Sequence, residues 1–389
     1  MTAMTDIFIL STARTAIGSF GGSLAAMSTI DIATHAAKAA IARAGIEAGQ
    51  VGTVVFGHVI NTEPRDMYLA RIAAMQAGVP ETTPAMNVNR LCGSGAQAIV
   101  SAMQMLLLGD AEIALAGGAE CMSRAPYAVQ SARFGQKMGD TKMLDMMTGA
   151  LTCPFGTGHM GVTAENVAAR YGLTREAQDA FALESQTRAA RAIAEGRFVD
   201  QIDPIELTGR KGHTLFAQDE HPKATTLDAL ANLRPAFAKD GTVTAGNASD
   251  INDGAAAVIL SRGNPGHARA RIMGYAVAGV DPKVMGLGPI PAVQALCAKL
   301  GVKPDSFDVV ESNEAFAAQA IAVTQALGLD PARVNPNGGA IALGHPVGAT
   351  GAILVAKALA ELERAGGKTA LITMCIGGGQ GIALAIERA

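Results

Sequence analysis

An α/β fold containing an internal duplication is predicted by three observations. Short apolar runs alternate with longer runs of helical spacing, once in the first third of the chain and again in the last third. Between the two series, residues 119–240 concentrate the charged side chains, so this stretch reads as an exposed insertion. Composition agrees: 45 glycines and 49% apolar residues against 4% aromatics suit closely packed strands and helices filled by small side chains. A chain of 389 residues is long for one core, which predicts two or more domains.

In the first series, residues 7–10, 53–56, 85–88 and 113–116 read as strands, being brief apolar runs bounded by polar or turn residues. Residues 30–44 and 95–108 read as helices, the second carrying Ile99, Met103, Leu106 and Leu107 at helical spacing. Within the insertion, Thr163 and Thr174 suit N-caps for helices over 164–171 and 175–194, with Gly196 as a stop. The second series predicts strands at 270–277, 309–311, 333–335, 370–375 and 382–386, and helices near 291–300, 315–327 and 350–365. The series match where Val88-Asn89 leads into a loop with Cys92 and then an Ala-rich helix, as Val334-Asn335 leads into a loop with His345 and another such helix. Open α/β sheets bind ligands beyond the carboxyl ends of their strands, so the two loops are expected to meet at one site.

Several function classes are disfavoured. A formal charge of -3 gives no basic footprint for nucleic acid. Residues 1–10 hold no basic run followed by a long apolar core, and no 18-residue uncharged apolar segment is read elsewhere, so a cytoplasmic protein without a membrane partner is expected. The five cysteines, at 92, 121, 153, 297 and 375, make no disulfide framework. Neither CxxC nor HExxH spacing occurs, and Cys153 with His159 lacks further ligands, so no metal is expected.

Three Gly-rich motifs each carry one reactive side chain: Asn89-Arg90-Leu91-Cys92-Gly93-Ser94-Gly95, Ala342-Leu343-Gly344-His345-Pro346-Val347-Gly348 and Met374-Cys375-Ile376-Gly377-Gly378-Gly379. Cys92 precedes a helix, whose positive N-terminal end is expected to lower its thiol pKa. Gly93 and Gly95 leave nearby N–H groups open to an oxyanion. His345 suits a base that takes the thiol proton, and Cys375 ends an apolar strand at a glycine-rich crevice. Asn313 precedes another helix, where it either caps the helix or orients a water or substrate oxygen. Two thiols and one imidazole predict covalent catalysis on a thioester. A second reading stays open on the residues alone: Gly93-Ser94-Gly95-Ala96-Gln97-Ala98 fits GxGxxA, with Asp110 or Glu112 at the distance of a ribose-binding acid, the pattern of an NAD-dependent oxidoreductase.

Together with Arg14-Thr15-Ala16-Ile17-Gly18, Gly117-Gly118-Ala119-Glu120, His159-Met160-Gly161-Val162-Thr163-Ala164-Glu165-Asn166 and Thr244-Ala245-Gly246-Asn247-Ala248-Ser249, these motifs resemble the thiolase family, in its acetyl-CoA acetyltransferase and short-chain β-ketothiolase branch. The resemblance covers nearly the whole chain. It implies two βαβαβαββ halves forming a five-layered αβαβα core with an inserted loop domain. Residues 1–118, completed by about 250–268, would form the N-terminal half, 119–249 the loop domain for CoA binding and oligomer contacts, and 269–389 the C-terminal half. It further implies that Cys92 is the acylated nucleophile, that His345 activates it, and that Cys375 is the acid/base at the reacting carbon. One oxyanion hole would come from the N–H groups of Cys92 and Gly377, the other from His345 and a water held by Asn313.

By the same resemblance, His159, Met160, Ser249, Ala315 and Phe316 would line a pantetheine tunnel. Lys223 would lie near the nucleotide, with Arg210 or Lys211 as the next choices, and Met160 and Met285 would govern chain length. Acyl-CoA molecules would be the substrates, with coenzyme A a substrate and no cofactor held permanently. The assembly implied is a homotetramer, a dimer of dimers joined through residues 122–139. Asp250 stands where the family often has Gly, and Asp tolerates a left-handed backbone better than most residues. The direction of flux, biosynthetic or degradative, is left open.

Overall fold

In the computed structural model, which describes residues 6–209 and 212–389, the apolar runs of both series become the strands of one ten-stranded sheet. Arg210 and Lys211 lie outside the described residues. The first half supplies β1 (Ile7–Arg14), β2 (Thr53–Gly57), β3 (Ala85–Val88), β4 (Ile113–Cys121) and β5 (Asn252–Arg262). The second supplies β6 (Ala270–Gly279), β7 (Val309–Ser312), β8 (Thr369–Ile376) and β9 (Gln380–Arg388). Their order is β7-β8-β9-β6-β1-β5-β4-β2-β3, with the two-residue strand Gly18–Ser19 paired to β5.

Outward from the centre the two halves repeat. The run β6-β9-β8-β7 matches β1-β5-β4-β2 in order and in strand direction, two antiparallel pairs followed by one parallel pair. A parallel β3 then adds to β2, and its counterpart on β7 is a single parallel bridge between Val310 and Val334. Val88 and Val334 thus occupy equivalent places. Within the sheet the two halves pair where Phe8 faces Arg271 and Ile9 faces Ala270.

The longer helices are α1 (Thr29–Ala44), α2 (Leu69–Gln76), α3 (Ser94–Leu108), α4 (Met160–Tyr171), α5 (Arg175–Ala194), α6 (Pro289–Leu300), α7 (Ala317–Leu327) and α8 (Thr350–Ala365). Local chemistry sets their ends: the Ser28 hydroxyl accepts the Asp31 N–H to start α1, and a left-handed Gly45 stops it. α1 and α2 cover one outer face, and α6 and α7 the other. α8 packs on β5 of one half and on β7 and β8 of the other, so the sheet folds around the α3/α8 pair and the section has five layers. The two helices cross at their first turns. A Cβ on Gly95 would lie 2.8 Å from the Ala352 nitrogen, and one on Gly351 would overlap the Ala96 backbone nitrogen.

The insertion is fastened to the core by one buried ion pair. Arg14, at the end of β1, meets Asp219 in two parallel bonds of 2.7 and 3.0 Å, both side chains fully buried, and the Ile17 N–H donates to the same carboxylate at 2.8 Å.

The structure corrects the sequence reading at several points. It passed over β5, which is buried along nearly its whole length because Ala255 to Leu260 form the unbroken apolar run of a strand covered on both faces. The strand expected at 333–335 is reduced to the Val334 bridge, because Asn335 takes φ +47° while its carboxamide bonds the Ser312 N–H at 2.9 Å and the Ser312 carbonyl at 2.7 Å. α4 begins at Met160, capped by His159, and Thr163 lies inside it with its hydroxyl donating to the Met160 carbonyl. α7 begins at Ala317 because Phe316 is held in a bridge with Ala248. Residues 91–108 are in fact 18 residues without a charge and apolar enough to cross a membrane, yet over half of this stretch is buried inside the fold as α3. Its hydrophobicity answers to sheet on either side.

The helix crossing predicts a contrast between two glycines. Gly351→Ala should lower stability by about 1–3 kcal/mol, since the group in the way is backbone and cannot rotate aside. Gly149→Ala, where an added Cβ meets nothing, should change the denaturation midpoint little. Equal midpoints for the two variants would contradict the close crossing.

Candidate active site

Cys92 sits in a turn built by its neighbours. β3 runs into Asn89-Arg90, where the Asn89 side chain accepts the Leu91 N–H at 2.9 Å. The Ser94 hydroxyl accepts the Arg90 N–H at 2.8 Å and donates to the Leu91 carbonyl at 2.6 Å. These bonds hold Leu91 at φ +46°, a left-handed conformation that costs a leucine about 1–2 kcal/mol. The strained turn presents Cys92, only partly buried, to a cavity.

Burial decides the state of this thiol. The helix N-terminus was expected to lower its pKa, but enclosure pushes the Cys92 thiol up instead. The backbone N–H groups of Gly377 and of Cys92 itself face the sulfur and pull the other way, and the charge of Glu120 adds to the rise. Cys375, at the end of β8, is also pushed up, by complete burial and by the nearness of Cys92. Both groups therefore rest as thiols near neutral pH, so a base must take the proton of Cys92 when it reacts.

The His345 imidazole is held by its hydrogen bonds. Burial pushes His345 down to about 4, which keeps the imidazole neutral. Its Nδ1 lies 2.6 Å from the Thr350 hydroxyl, which itself donates to the Pro346 carbonyl at 2.8 Å. This network assigns the ring proton to Nδ1 and leaves Nε2 unprotonated, 3.4 Å from the Asn313 amide nitrogen. The Asn313 Oδ1 is buried without a partner. The His345 loop is held by Asn252, whose Oδ1 accepts the His345 N–H at 2.8 Å. Gly344 permits this at φ +107°, where a Cβ would lie 2.6 Å from the Asn252 carboxamide carbon.

Cys92, His345, Cys375 and Gly377 line one cavity of about 270 Å³, together with His159, Met160, Ser249, Ala315, Phe316 and Met285. Local bonds join the second group. The Ser249 N–H and hydroxyl both donate to the Ala315 carbonyl, at 3.0 and 3.1 Å, beside the Ala248–Phe316 bridge. His159 caps α4 by accepting the Gly161 N–H on Nδ1 at 3.1 Å, and burial lowers its pKa, so its ring is neutral. Asn313 reaches the site through His345 and does not line the cavity itself.

Lys223 is not brought to this wall. Its side chain is exposed, and its nearest link to the cavity is its charge acting on His221, whose Nδ1 is 3.5 Å from the lining carboxylate of Asp250. Asp250 does not use the left-handed backbone suggested for it. Leu91 and Asn335 are the only non-glycine residues with positive φ among the described residues.

Some of the site was missed in the sequence. Phe237 stacks on His159 at 4.7 Å and meets Phe316 edge-on at 6.0 Å, but it stands alone in the charged insertion with no periodic signal. Asn252 and Thr350 hold His345, and only Asn252, a polar head on an otherwise apolar strand, could have attracted notice. The dinucleotide reading loses its ground here, because Gly95 abuts the backbone of residues 348–352 and leaves no room for a pyrophosphate at the start of α3.

The chain is similar to known proteins along nearly its whole length. The family model for the thiolase N-terminal domain matches residues 7–264, and that for the thiolase C-terminal domain matches residues 267–388. The beta-ketothiolase BktB of Cupriavidus necator is 55% identical over 390 residues, covering 98% of this chain and 99% of its own. The crystal structure of the Bacillus anthracis acetyl-CoA acetyltransferase superposes with a TM-score of 0.97 at 42% identity over all of both chains. Human mitochondrial 3-ketoacyl-CoA thiolase in complex with CoA gives 0.96 at 43% identity, covering 99% of this chain and 98% of that one.

The neutral His345 carries a pH prediction. Its ordinary value of 6.5 falls to about 4 on folding, so between those values the unfolded chain binds more protons than the folded one. Stability contributed by neutral burial is complete above pH 6.5 and falls as the pH drops toward 4. By pH 4.5 the loss from this group should be about 2–3 kcal/mol. Denaturant unfolding at pH 7 and pH 4.5 should show His345→Gln losing less stability than wild type by about that amount. Parallel losses in the two proteins would contradict a neutral buried imidazole.

Proposed function

Because this chain belongs to the thiolase family, we propose that it is an acetyl-CoA C-acetyltransferase, a β-ketothiolase that joins two acyl-CoA molecules into a 3-ketoacyl-CoA and free CoA, or runs the reverse thiolysis. The observation that carries the reading is the convergence of two thiols and a neutral imidazole on one largely apolar cavity. A dinucleotide-dependent oxidoreductase is disfavoured because the start of α3 abuts the 348–352 backbone.

The proposed chemistry closes on its protons. His345 Nε2 takes the proton of Cys92 as the sulfur attacks the thioester carbonyl, and the N–H groups of Cys92 and Gly377 receive the developing oxyanion. The departing CoA thiolate takes its proton from Cys375, which leaves acyl-Cys92, a Cys375 thiolate and a protonated His345. A second acetyl-CoA then loses a methyl proton to Cys375, and its carbon attacks the acyl group while its thioester oxygen leans on His345 and a water held by Asn313. Cys92 leaves as the 3-ketoacyl-CoA forms and recovers its proton from His345. The raised pKa of Cys375 suits this work, since a thiolate that is hard to form is a strong base once formed.

His159, Met160, Ser249, Ala315 and Phe316 are proposed as walls for the pantetheine arm, and Lys223 as a contact for the nucleotide outside the cavity. Support for the arm comes from their shared place in the lining. We place the enzyme in the cytoplasm as a homotetramer joined through residues 122–139. The almost complete exposure of Phe134 and Met138 supports a contact there.

Two experiments test these roles. With labelled acetyl-CoA, wild type should carry label on the Cys92 peptide, Cys92→Ser should carry none and turn over at background rate, and Cys375→Ala should keep substantial label while failing at carbon–carbon bond formation. Label on any other peptide would sink the assignment. For the nucleotide, Lys223→Glu should raise KM for CoA by several-fold at low ionic strength with little change in kcat, and the effect should shrink with added salt. An unchanged CoA dependence at low salt would remove Lys223 from the site.

A further inference from the structure

Glu120 is the last residue but one of β4, and its carboxylate is fully buried. Three backbone N–H groups converge on it, each at 3.0 Å. Val59 and Gly348 donate to Oε2, and Ile60 donates to Oε1. His58 Nδ1 is 3.3 Å from Oε1 and also 3.1 Å from the Ala119 carbonyl. The donors come from two places in the chain. Val59 follows β2 and lines the cavity, while Gly348 follows His345 by three residues. A Cβ on Gly348 would lie 2.5 Å from Oε2, so the loop approaches the carboxylate as closely as a bare backbone allows.

Resting on the thiolase reading above, we propose that Glu120 is a positioning residue of the reaction: its buried carboxylate clamps the His345 loop to the wall beside Cys92 and so fixes the imidazole for proton transfer from the thiol. Burial pushes the Glu120 carboxyl up, while His58 and the three N–H groups pull it back toward the ionised form, which accepts from all three at once; an amide of that size would turn an N–H toward one of the donors. The clamp works against the thiol's own acidity. The Glu120 charge lifts the Cys92 thiol, so it suppresses the free thiolate while holding the base that removes the proton.

These two effects have opposite signs, which separates positioning from general support of the fold. Glu120→Gln removes the charge and one acceptor. Acetyl transfer to Cys92 should fall by about 10- to 100-fold as the imidazole drifts. Alkylation of Cys92 by iodoacetamide, which needs only the thiolate, should become about three- to ten-fold faster at a fixed pH below the thiol's range. Glu120→Asp keeps the charge but shortens the reach, so acetyl transfer should fall while the pH profile of alkylation stays that of wild type. Both reactions are read on the Cys92 peptide by mass spectrometry, with denaturant unfolding as the check on folding. Should Glu120→Gln fail to fold, the Glu120→Asp pair of measurements decides. Acetyl transfer at the wild-type rate in the variants, or a fall in both reactions together, overturns the inference. Absence of label on wild-type Cys92 would instead overturn the thiolase assignment of that residue, a distinguishable result.

Discussion

The crossing of α3 and α8 at Gly95 and Gly351 is the contact on which the rest of the molecule depends. Each helix follows one of the two reactive loops, so pressing their first turns together brings the Cys92 turn and the His345 loop to the same place. The approach is closer than any side chain permits, and it is made twice, once from each half. The sheet then folds around the pair, with α8 seated against strands of both halves, and the otherwise slight seam between β1 and β6 needs no further joining. A duplicated strand–loop–helix unit has in this way become two unlike halves of one cavity, a thiol from the first copy and an imidazole from the second.

Enclosure between two half-sheets also sets the chemistry. Taking charge out of water is costly, so burial favours the neutral form of each group: thiol for Cys92 and Cys375, imidazole for His345. The resting site is therefore uncharged among its reacting groups and becomes charged only as a proton moves between them. The backbone N–H groups of Cys92 and Gly377 face the sulfur from fixed positions, and the Asn313 Oδ1 is buried without a protein partner.

The inserted stretch completes the cavity from outside. Phe237 stacks on His159 and meets Phe316 edge-on to close its apolar side, and the Arg14–Asp219 pair fixes the insertion to the end of β1. A buried pair of this kind is of uncertain net benefit when both partners are present, but loss of either leaves an unpaired charge in the core at a cost of about 3–5 kcal/mol. It therefore sets where the insertion sits more than how stable it is.

Much of this was legible in the sequence because it was local. Alternating strands and helices, the duplicated Val-Asn lead into each loop, and the three glycine-rich motifs around Cys92, His345 and Cys375 are properties of neighbouring residues, and local propensity and patterning act at that range. The misses share the opposite property. β5 was passed over because a strand covered on both faces has no alternation to read, and residues 91–108 looked like any apolar helix until the sheets on either side were known. The upward shift of Cys92 depends on how completely other elements enclose it, and enclosure outweighed the helix terminus that sequence alone could see. Asn252 and Glu120 hold the His345 loop from positions up to 228 residues away in the chain, as the 348–120 and 345–252 bonds require. Those bonds exist only after the halves have packed, so the residue types that react were set by the sequence, while their protonation, distance and alignment were decided by the tertiary structure.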